Sequence, residues 1–303
     1  MTTCLYIAST SFSGSTLLTL LVGGHPSIAT VGEMKGVPQD LATYACSCGK
    51  LFTKCPFWER LIGVLAGRGF IYDLSDLKTT PAFRMPGSPL IDRFMRRAYG
   101  GAAFERFRDA VLRYAPGSAR RLAYLRRYNA SFIDLVLQIT NASIFLDSSK
   151  DPVRVKYLAN IPSLELRVVH LIRDGRGVVN SARKNAGMSV RDASIEWLHT
   201  HLEIERVTRR FCDRSVLKVH YEDLCANPDE VVATTLRFVG ATEQVRVTAA
   251  LNRELHVHGN RMRLKGILPI RLDESWKCEL STADLATFAN IAGSLNADYG
   301  YGA

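Results

Sequence analysis

The sequence lacks an apolar run long enough to cross a membrane, because its longest apolar runs fall far short of the ~20 residues that a helical span needs. Its N-terminus lacks the positively charged segment of a secretory signal peptide, so we expect the first apolar run to be a core strand. The seven cysteines are an odd number. Without secretion, they favour a reduced, cytoplasmic protein over a disulfide framework.

The composition also disfavours disorder and nucleic-acid binding. Hydrophobic residues make up 47% of the 303 residues, which is enough for a sizeable core. This length suits one large α/β domain, and we expect a single domain over residues 1–303. The formal net charge of +10 favours anionic partners. Such partners include phosphorylated cofactors, nucleic acid and membrane surfaces, and the charge does not choose among them. The arginine-rich stretches have little of the aromatic interleaving that is typical of nucleic-acid grooves, so nucleic-acid binding is not favoured.

A loop of small residues follows the first predicted strand. The apolar run 5–8 predicts a buried strand, residues 9–16 are mostly Ser, Thr and Gly, and residues 17–22 predict a helix. A strand, a small-residue loop and a helix N-terminus together bind phosphate well. The first N–H groups of the helix are unpaired and lie at the positive end of its dipole. We therefore predict an anion site around Gly14.

This loop differs from the nucleoside-triphosphate P-loop at the lysine. When Thr16 is aligned with the last position of that motif, Gly14 falls on its second glycine. Ser9 then replaces the first glycine and Ser15 replaces the lysine. Either another residue supplies the missing charge, or the bound nucleotide has no triphosphate.

Two charged side chains are predicted to lie near the loop. Glu33 follows a short predicted strand, and the carboxyl end of a strand lies on the ligand-binding edge of an α/β sheet. Lys150 lies between a buried predicted strand and a helix that begins at Pro152, with Asp151 as its N-cap. Lys150 could replace the lysine that the loop lacks. The alternatives are that Glu33 pairs with a helix dipole and that Lys150 points to water.

A second anion site is predicted at the end of the clearest strand, residues 166–172. Arg173 leaves the sheet at the ligand-binding edge, and Ser181 lies two helical turns further on the same side. An arginine and a hydroxyl form a good phosphate clamp. Two such sites imply a ligand with two separated phosphates. Arg176 is interpreted equally well as a structural partner of Asp174.

Three cysteines, Cys46, Cys48 and Cys55, lie close together in the sequence. A structural zinc site needs four ligands, and no fourth Cys or His lies nearby. The spacing is also not a paired C-x-x-C. We therefore favour a reversible disulfide or a plain loop over zinc, and predict no metal site.

Two further regions are predicted to surround the site. Residues 60–128 are helical in pattern and rich in arginine, which predicts a helical insertion at about 46–130 that covers the active face and selects substrate. A solvated basic face is the alternative. Tyr221 ends another predicted strand, where it either stacks on a base or packs at the rim of the core. The basic, glycine-containing loop 256–266 has the composition of loops that close over phosphates.

These segments together resemble the sulfotransferase family, whose members use 3′-phosphoadenosine 5′-phosphosulfate (PAPS), and especially its tyrosylprotein and carbohydrate enzymes. The residues that carry the resemblance are 12–16, Glu33, 149–152, 173–176 with Ser181, 219–222, and Gly259 with Asn260. The resemblance implies the sulfotransferase fold, in which a P-loop-like parallel sheet is flanked by helices.

The resemblance also implies roles for individual residues. The implied cofactor-binding residues are Ser13, Gly14, Ser15, Thr16, Leu17, Arg173, Ser181, Tyr221, Gly259 and Asn260. Residues 13–17 would hold the 5′-phosphosulfate, and Arg173 with Ser181 would hold the 3′-phosphate. Glu33 falls at the position of the catalytic base. Lys150 falls at the position of the lysine beside the bridging oxygen.

The implied reaction moves a sulfuryl group in line from PAPS to a hydroxyl of a small molecule, carbohydrate or peptide, leaving 3′-phosphoadenosine 5′-phosphate (PAP), and needs no metal. This chain has Phe12 where those enzymes usually have a basic residue, so more of the leaving-group charge would fall on Lys150 or on an arginine of the insertion. A P-loop kinase or NTPase is one alternative, which the missing lysine disfavours. An inactive nucleotide-binding scaffold is another, which Phe12 favours.

Overall fold

The computed structural model describes residues 1–34, 43–70, 79, 101–114, 117–241, 253–264 and 269–302. The arginines at 93, 96 and 97, and the proline and glycine breaks at 81 and 86–89, lie outside these ranges. Within the described ranges, no helix combines the length and the apolar character that a membrane span requires.

A parallel sheet of five strands forms the centre of the described structure. The strands are β1 (Thr2–Ala8), β2 (Ile28–Gly32), β3 (Ile144–Lys150), β4 (Leu164–Ile172) and β5 (Val216–His220). Their order across the sheet is β2-β3-β1-β4-β5, and each pair is parallel. The chain adds strands on both sides of β1, so the loop after β1 lies where the strand order reverses. Open α/β sheets bind ligands in the crevice at this point.

Helices cover both faces of the sheet. The α-helices of the described residues are α1 (Ser15–Gly23), α2 (Pro56–Gly67), α3 (Ala102–Tyr114), α4 (Ser118–Thr140), α5 (Pro152–Leu158), α6 (Gly175–Ala186), α7 (Val190–Thr208), α8 (Tyr221–Ala226), α9 (Pro228–Phe238), α10 (Trp276–Glu279) and α11 (Thr282–Asp298). Short 3₁₀ helices lie at Phe52–Lys54, Asp213–Ser215 and Arg261–Leu264.

Alternate residues of β1 pack into the two layers, because side chains along a strand point to opposite faces. Cys4 and Tyr6 face a core that includes residues of α2, α4, α5 and α7. Leu5 and Ile7 face a core that includes residues of α1, α8 and α9. The strand is therefore buried on both sides, as its unbroken apolar run predicts.

A buried polar network fixes the end of β3. Arg154 of α5 donates from Nε to Asp147 Oδ2 at 2.7 Å, and from Nη2 to Asn129 Oδ1 of α4 at 2.9 Å. Ser149 Oγ donates to the other carboxylate oxygen of Asp147 at 2.5 Å. Buried charges are tolerated when they are paired and hydrogen-bonded in this way. The network holds the carboxyl end of β3 in a defined position against α4 and α5.

The predicted parallel α/β fold with flanking helices is confirmed, with small differences in element bounds. β3 continues to Lys150, beyond the predicted end at residue 147, because it remains paired with β1 as far as Ala8. β5 ends at His220, so Tyr221 begins a helix instead of ending a strand. Asp151 caps α5, as predicted, by accepting a hydrogen bond from the N–H of Val153.

The predicted insertion at about 46–130 contains α2, α3 and the first part of α4 in the described ranges. Its helical character is therefore observed where the structure describes it. Its role in selecting a substrate stays a prediction, as does the single-domain organisation.

Candidate active site

The loop between β1 and α1 has a backbone that requires glycine at one position. Gly14 is the N-cap of α1 and has φ 85°. A Cβ at Gly14 would lie 2.3 Å from Cδ2 of Tyr221, so any side chain there would clash with the ring. The first intrahelical bond of α1 runs from Leu18 N to Gly14 O. The N–H groups of the first helical turn precede that bond and are available to an anion.

The side chain of Ser13 has a structural position. It is fully buried, and its Oγ lies 2.5 Å from Thr10 Oγ1. This bond closes the loop on itself. We therefore expect any contact between Ser13 and a ligand to come from its backbone.

Glu33 and Lys150 form an ion pair at the edge of the sheet. Lys150 Nζ lies 2.5 Å from Glu33 Oε1, and both side chains are mostly buried, with 17% and 21% of their surface exposed. The two residues follow from neighbouring strands, because β2 pairs with β3. The structure thus brings together the two residues that were predicted to be catalytic.

Two contacts hold Glu33 in place. The N–H of Met34 donates to Ser149 Oγ at 2.8 Å, which links this segment to the buried Asp147 network. On the other side, the backbone of Gly259 packs closely against the Glu33 side chain. A Cβ at Gly259 would lie only 3.0 Å from Glu33 Cγ, and the φ of 119° at this residue also favours glycine. Gly259 was predicted to contact a cofactor. In the structure, its close approach is to Glu33.

Arg173 connects the second predicted anion site to the first. Its Nη1 donates to the carbonyl of Phe12 at 2.8 Å and lies 3.4 Å from Ser181 Oγ. Its Nη2 donates to the backbone carbonyl of Asp273 at 2.9 Å and to the carboxylate of the same residue at 3.3 Å. The guanidinium also lies over the ring of Tyr221, 4.6 Å from its centroid. The two predicted sites are therefore adjacent, on the same edge of the sheet.

The pKa values of two neighbours of Arg173 are shifted. Burial raises the pKa of Tyr221, so its hydroxyl stays protonated and can donate a hydrogen bond. Burial acts to raise the pKa of Asp273, but hydrogen bonds from Ser275 and the charge of Arg173 outweigh it and hold this pKa below its usual value. Asp273 is therefore negatively charged, and its carboxylate already contacts Arg173, the side chain that is predicted to bind a phosphate.

One cavity contains most of the predicted site. The predicted residues that line it are Gly14, Ser15, Thr16, Leu17, Lys150, Arg173, Ser181, Tyr221 and Asn260. Ser13, Glu33 and Gly259 lie behind this wall. Ser13 is buried within the loop, Glu33 is joined to the cavity wall through Lys150, and Gly259 packs against Glu33.

Some residues of this region were not predicted from the sequence. Asn185 and Met262 also line the cavity. Asn185 donates to the carbonyl of Ser181, four residues earlier on α6, so helical spacing from Ser181 would have identified it. Asp273 lies in an irregular segment, and no motif there indicates a contact with Arg173.

Arg176 has the structural role that was left open. Its guanidinium forms an ion pair with Asp174, with 2.8 Å between Nη2 and Oδ2, and lies over the ring of Trp276. Asp174 also caps α6 by accepting a hydrogen bond from the N–H of Arg176.

These features define a parallel α/β protein in which the first strand leads through a glycine-containing loop into a helix N-terminus at the point where the strand order reverses. A family model described as the sulfotransferase family matches residues 77–244, more than half of the chain. The chain therefore belongs to the sulfotransferase family, and this membership supports a sulfotransferase activity. A search of curated proteins gave no match.

Solved structures of sulfotransferases resemble this chain. A sulfotransferase domain from the curacin biosynthetic pathway has a TM-score of 0.50 and 15% identity, covering 97% of this chain and 98% of that one. A sulfotransferase domain from the olefin synthase of Synechococcus PCC 7002 has a TM-score of 0.48 and 18% identity, covering 99% and 95%. A sulfotransferase from Mycobacterium tuberculosis H37Rv has a TM-score of 0.45 and 13% identity, covering 83% and 71%. At 15% identity, the first likeness speaks for the fold alone.

Proposed function

We propose that this protein is a PAPS-dependent sulfotransferase that acts on an acceptor hydroxyl. The observation that carries the proposal is the juxtaposition of an anion-binding loop, the Lys150–Glu33 pair and Arg173 around one cavity. A triphosphate-specific enzyme is not favoured, because the loop has Ser15 where the P-loop lysine would lie.

The donor set suits a nucleotide with phosphate groups at both ends. The first turn of α1 would hold the 5′-phosphosulfate through its N–H groups. Gly14, the N-cap of this helix, has no side chain, and the ring of Tyr221 occupies the space where its Cβ would lie. Arg173 and Ser181 would hold the 3′-phosphate, with the guanidinium forking onto two oxygens. PAPS, when bound, supplies the sulfuryl group.

Glu33 and Lys150 would share the chemical work. Glu33 accepts the proton of the attacking hydroxyl, a role typically worth ~10²–10⁴-fold in rate. Lys150 places its ammonium against the charge that develops on the leaving oxygen, and removing one such group costs roughly 10²–10³-fold. Because Lys150 Nζ and Glu33 Oε1 are in contact, the lysine must turn partly from the carboxylate to do this.

The helical insertion at about 46–130 would select the acceptor. Tyr44, just before it, supports this interpretation, because its hydroxyl accepts a hydrogen bond from the N–H of Gly259 at 2.7 Å. Gly259 in turn packs against Glu33. The start of the insertion therefore lies close to the proposed base. The acceptor is expected to be a small molecule, a carbohydrate or a peptide.

Binding and transfer can be tested separately. Calorimetry should detect PAP binding that needs no magnesium and is much stronger than binding of ATP with magnesium. The reverse order would favour a kinase or NTPase. Transfer of labelled sulfate from PAPS to a panel of hydroxyl acceptors should detect turnover. Tight PAP binding without turnover on any acceptor would favour the inactive scaffold, to which Phe12 points.

The variant Glu33→Gln tests the assignment of the base. The amide keeps the size of the side chain but cannot take up the proton, so we expect turnover to fall roughly 10²–10⁴-fold. PAP affinity should remain close to that of the wild type, because Glu33 lies behind the cavity wall. Wild-type turnover in this variant would show that another group is the base.

A further inference from the structure

Three cysteines and one histidine, far apart in the chain, form a compact cluster. The sulfurs of Cys46, Cys48 and Cys55 and a ring nitrogen of His256 all lie within 4.8 Å of one another. His256 follows Cys55 by 201 residues. This separation explains why no neighbour in sequence indicates a fourth ligand for the cysteines.

Three of the six distances between ligand atoms in the cluster lie close to the edges of a tetrahedral zinc site. Bonds of about 2.3 Å to sulfur and about 2.0 Å to nitrogen place two sulfurs about 3.8 Å apart, and a sulfur and a nitrogen about 3.5 Å apart. The observed separation of Cys48 Sγ and Cys55 Sγ is 3.7 Å. His256 Nδ1 lies 3.4 Å from Cys55 Sγ and 3.9 Å from Cys46 Sγ.

The backbone holds the first two cysteines in a tight turn. Ala45 and Leu51 form an isolated antiparallel bridge, and the N–H of Cys46 donates to the carbonyl of Lys50 at 2.9 Å. The chain reverses at Gly49, which has φ 83° and donates to the carbonyl of Cys46. This turn places Cys46 and Cys48 side by side without help from the rest of the cluster.

The other two ligands come from separate elements. Cys55 is the N-cap residue of α2, so the start of this helix fixes the position of its sulfur. The ring of His256 stacks on Phe57, with 4.8 Å between centroids and 6° between planes. Its Nε2 lies 4.0 Å from the Glu254 carboxylate, and its Nδ1 faces the sulfurs of Cys46 and Cys55.

A disulfide accounts for less of this arrangement. The 3.7 Å between Cys48 and Cys55 is far from the roughly 2.0 Å of a disulfide bond, and all the cysteines of the described residues are free thiols. Pairing any two would leave the third thiol and the histidine without a role. Cys212 and Cys278 are exposed and lie outside the cluster, so convergence is not a general property of the cysteines of this chain.

We propose that Cys46, Cys48, Cys55 and His256 bind one structural Zn²⁺ ion. Four protein ligands complete a tetrahedron and leave no open position, which is the arrangement of structural zinc sites. On binding, the ion displaces the thiol protons and converts the cysteines to thiolates. This proposal does not depend on the proposed enzymatic function.

The ion would join two segments that flank Glu33. The N–H of Ser47 donates to the carbonyl of Val257, and the N–H of Val257 donates to Ser47 Oγ at 2.7 Å. His258 O then accepts from the N–H of Glu33 at 3.4 Å. A metal at His256 therefore anchors the strand-like stretch that supports the proposed base from one side.

Metal content of the full-length protein tests the proposal directly. Protein purified under reducing conditions without added metal should contain one zinc per chain by mass spectrometry of the elements. Cys48→Ser should lose at least nine-tenths of this zinc. Cys212→Ser and Cys278→Ser are matched controls, because they remove exposed thiols outside the cluster, and both should keep one zinc per chain.

His256 is tested with two variants. His256→Phe keeps the aromatic stack on Phe57 but removes the ligand nitrogen, so zinc should be lost. His256→Cys restores a ligand and should retain zinc. If His256→Phe keeps a full equivalent of zinc, the histidine is not a ligand and the proposed site is wrong.

Measurements on the wild-type chain avoid the risk that a variant fails to fold. After zinc is exchanged for cobalt, the intense visible bands of a tetrahedral cobalt–thiolate site should appear. Chelation should lower the melting temperature of the wild type and leave that of Cys48→Ser unchanged. Wild-type protein without zinc and without cobalt bands would overturn the proposal, and a Cys48–Cys55 disulfide in its peptide map would establish the redox alternative.

Discussion

Asp273 competes with the ligand that Arg173 is proposed to bind, so removing its charge should strengthen nucleotide binding. The carboxylate lies 3.3 Å from Arg173 Nη2, and the backbone carbonyl of the same residue also accepts from this nitrogen at 2.9 Å. A 3′-phosphate on Arg173 must displace the carboxylate. The substitution Asp273→Asn keeps the size of the side chain and the backbone contact, and removes only the negative charge.

The size of the effect follows from the exposure of the pair. The Asp273 side chain is 46% exposed, so the ion pair is partly screened by solvent and is worth about 0.5–1 kcal/mol. Since 1.4 kcal/mol is tenfold in affinity, the variant should bind PAP about 2–5-fold more tightly. The gain should shrink as salt is added, because screening weakens the pair that the wild type must break.

Calorimetry with two nucleotides isolates this effect. PAP carries the 3′-phosphate, and adenosine 5′-monophosphate (AMP) does not, so only PAP affinity should rise in Asp273→Asn. Glu274→Gln is the matched control. It makes the same change in charge one residue away, on a side chain that pairs with Lys277 instead of Arg173. An equal gain for AMP, or an equal gain in Glu274→Gln, would refute the reasoning.

Three further predictions concern binding, positioning and stability. Arg173→Ala should weaken PAP binding about 10–100-fold, because charged hydrogen bonds contribute about 1.5–3 kcal/mol, whereas calorimetry should show a much smaller loss for AMP. Ser149→Ala removes the acceptor of Met34 N–H beside Glu33, so steady-state kinetics should show a lower kcat with little change in PAP affinity; an unchanged kcat would deny the positioning role. Burial lowers the pKa of His201 to about 3. The unfolded chain takes up this proton below about pH 6.5 and the folded chain does not, so His201 alone should lower stability by on the order of 1.5 kcal/mol from pH 6.5 to 5 in denaturant titrations. His170 and His258, whose pKa values burial also lowers, should add to this fall. His201→Gln should flatten that part of the pH profile, and an identical profile would contradict the assignment.

The sheet and its ligand-binding edge could be predicted because their signals are local. The strand before the loop and the strand before Arg173 are both continuous apolar runs, and each is followed by polar residues at its carboxyl end. Parallel strands bring those ends to one edge. The convergence of Gly14, Lys150 and Arg173 on one cavity follows from the order of the strands alone.

Contacts between distant, irregular segments could not be predicted in this way. Asp273 reaches Arg173 from a stretch without helical or strand periodicity, and His256 joins cysteines that precede it by about 200 residues. Neither pairing leaves a spacing rule in the sequence. Gly259 was predicted to contact the cofactor, but its close contact in the structure is with the Glu33 side chain, which composition cannot distinguish from a contact with phosphate.

The hydrogen bonds of Arg173 make the two halves of the proposed nucleotide site mechanically dependent. One guanidinium nitrogen contacts both the carbonyl of Phe12, within the loop after β1, and the hydroxyl of Ser181 on α6. A ligand bound to this guanidinium would therefore lie against both segments at once, so a single side chain links the loop after β1 to α6.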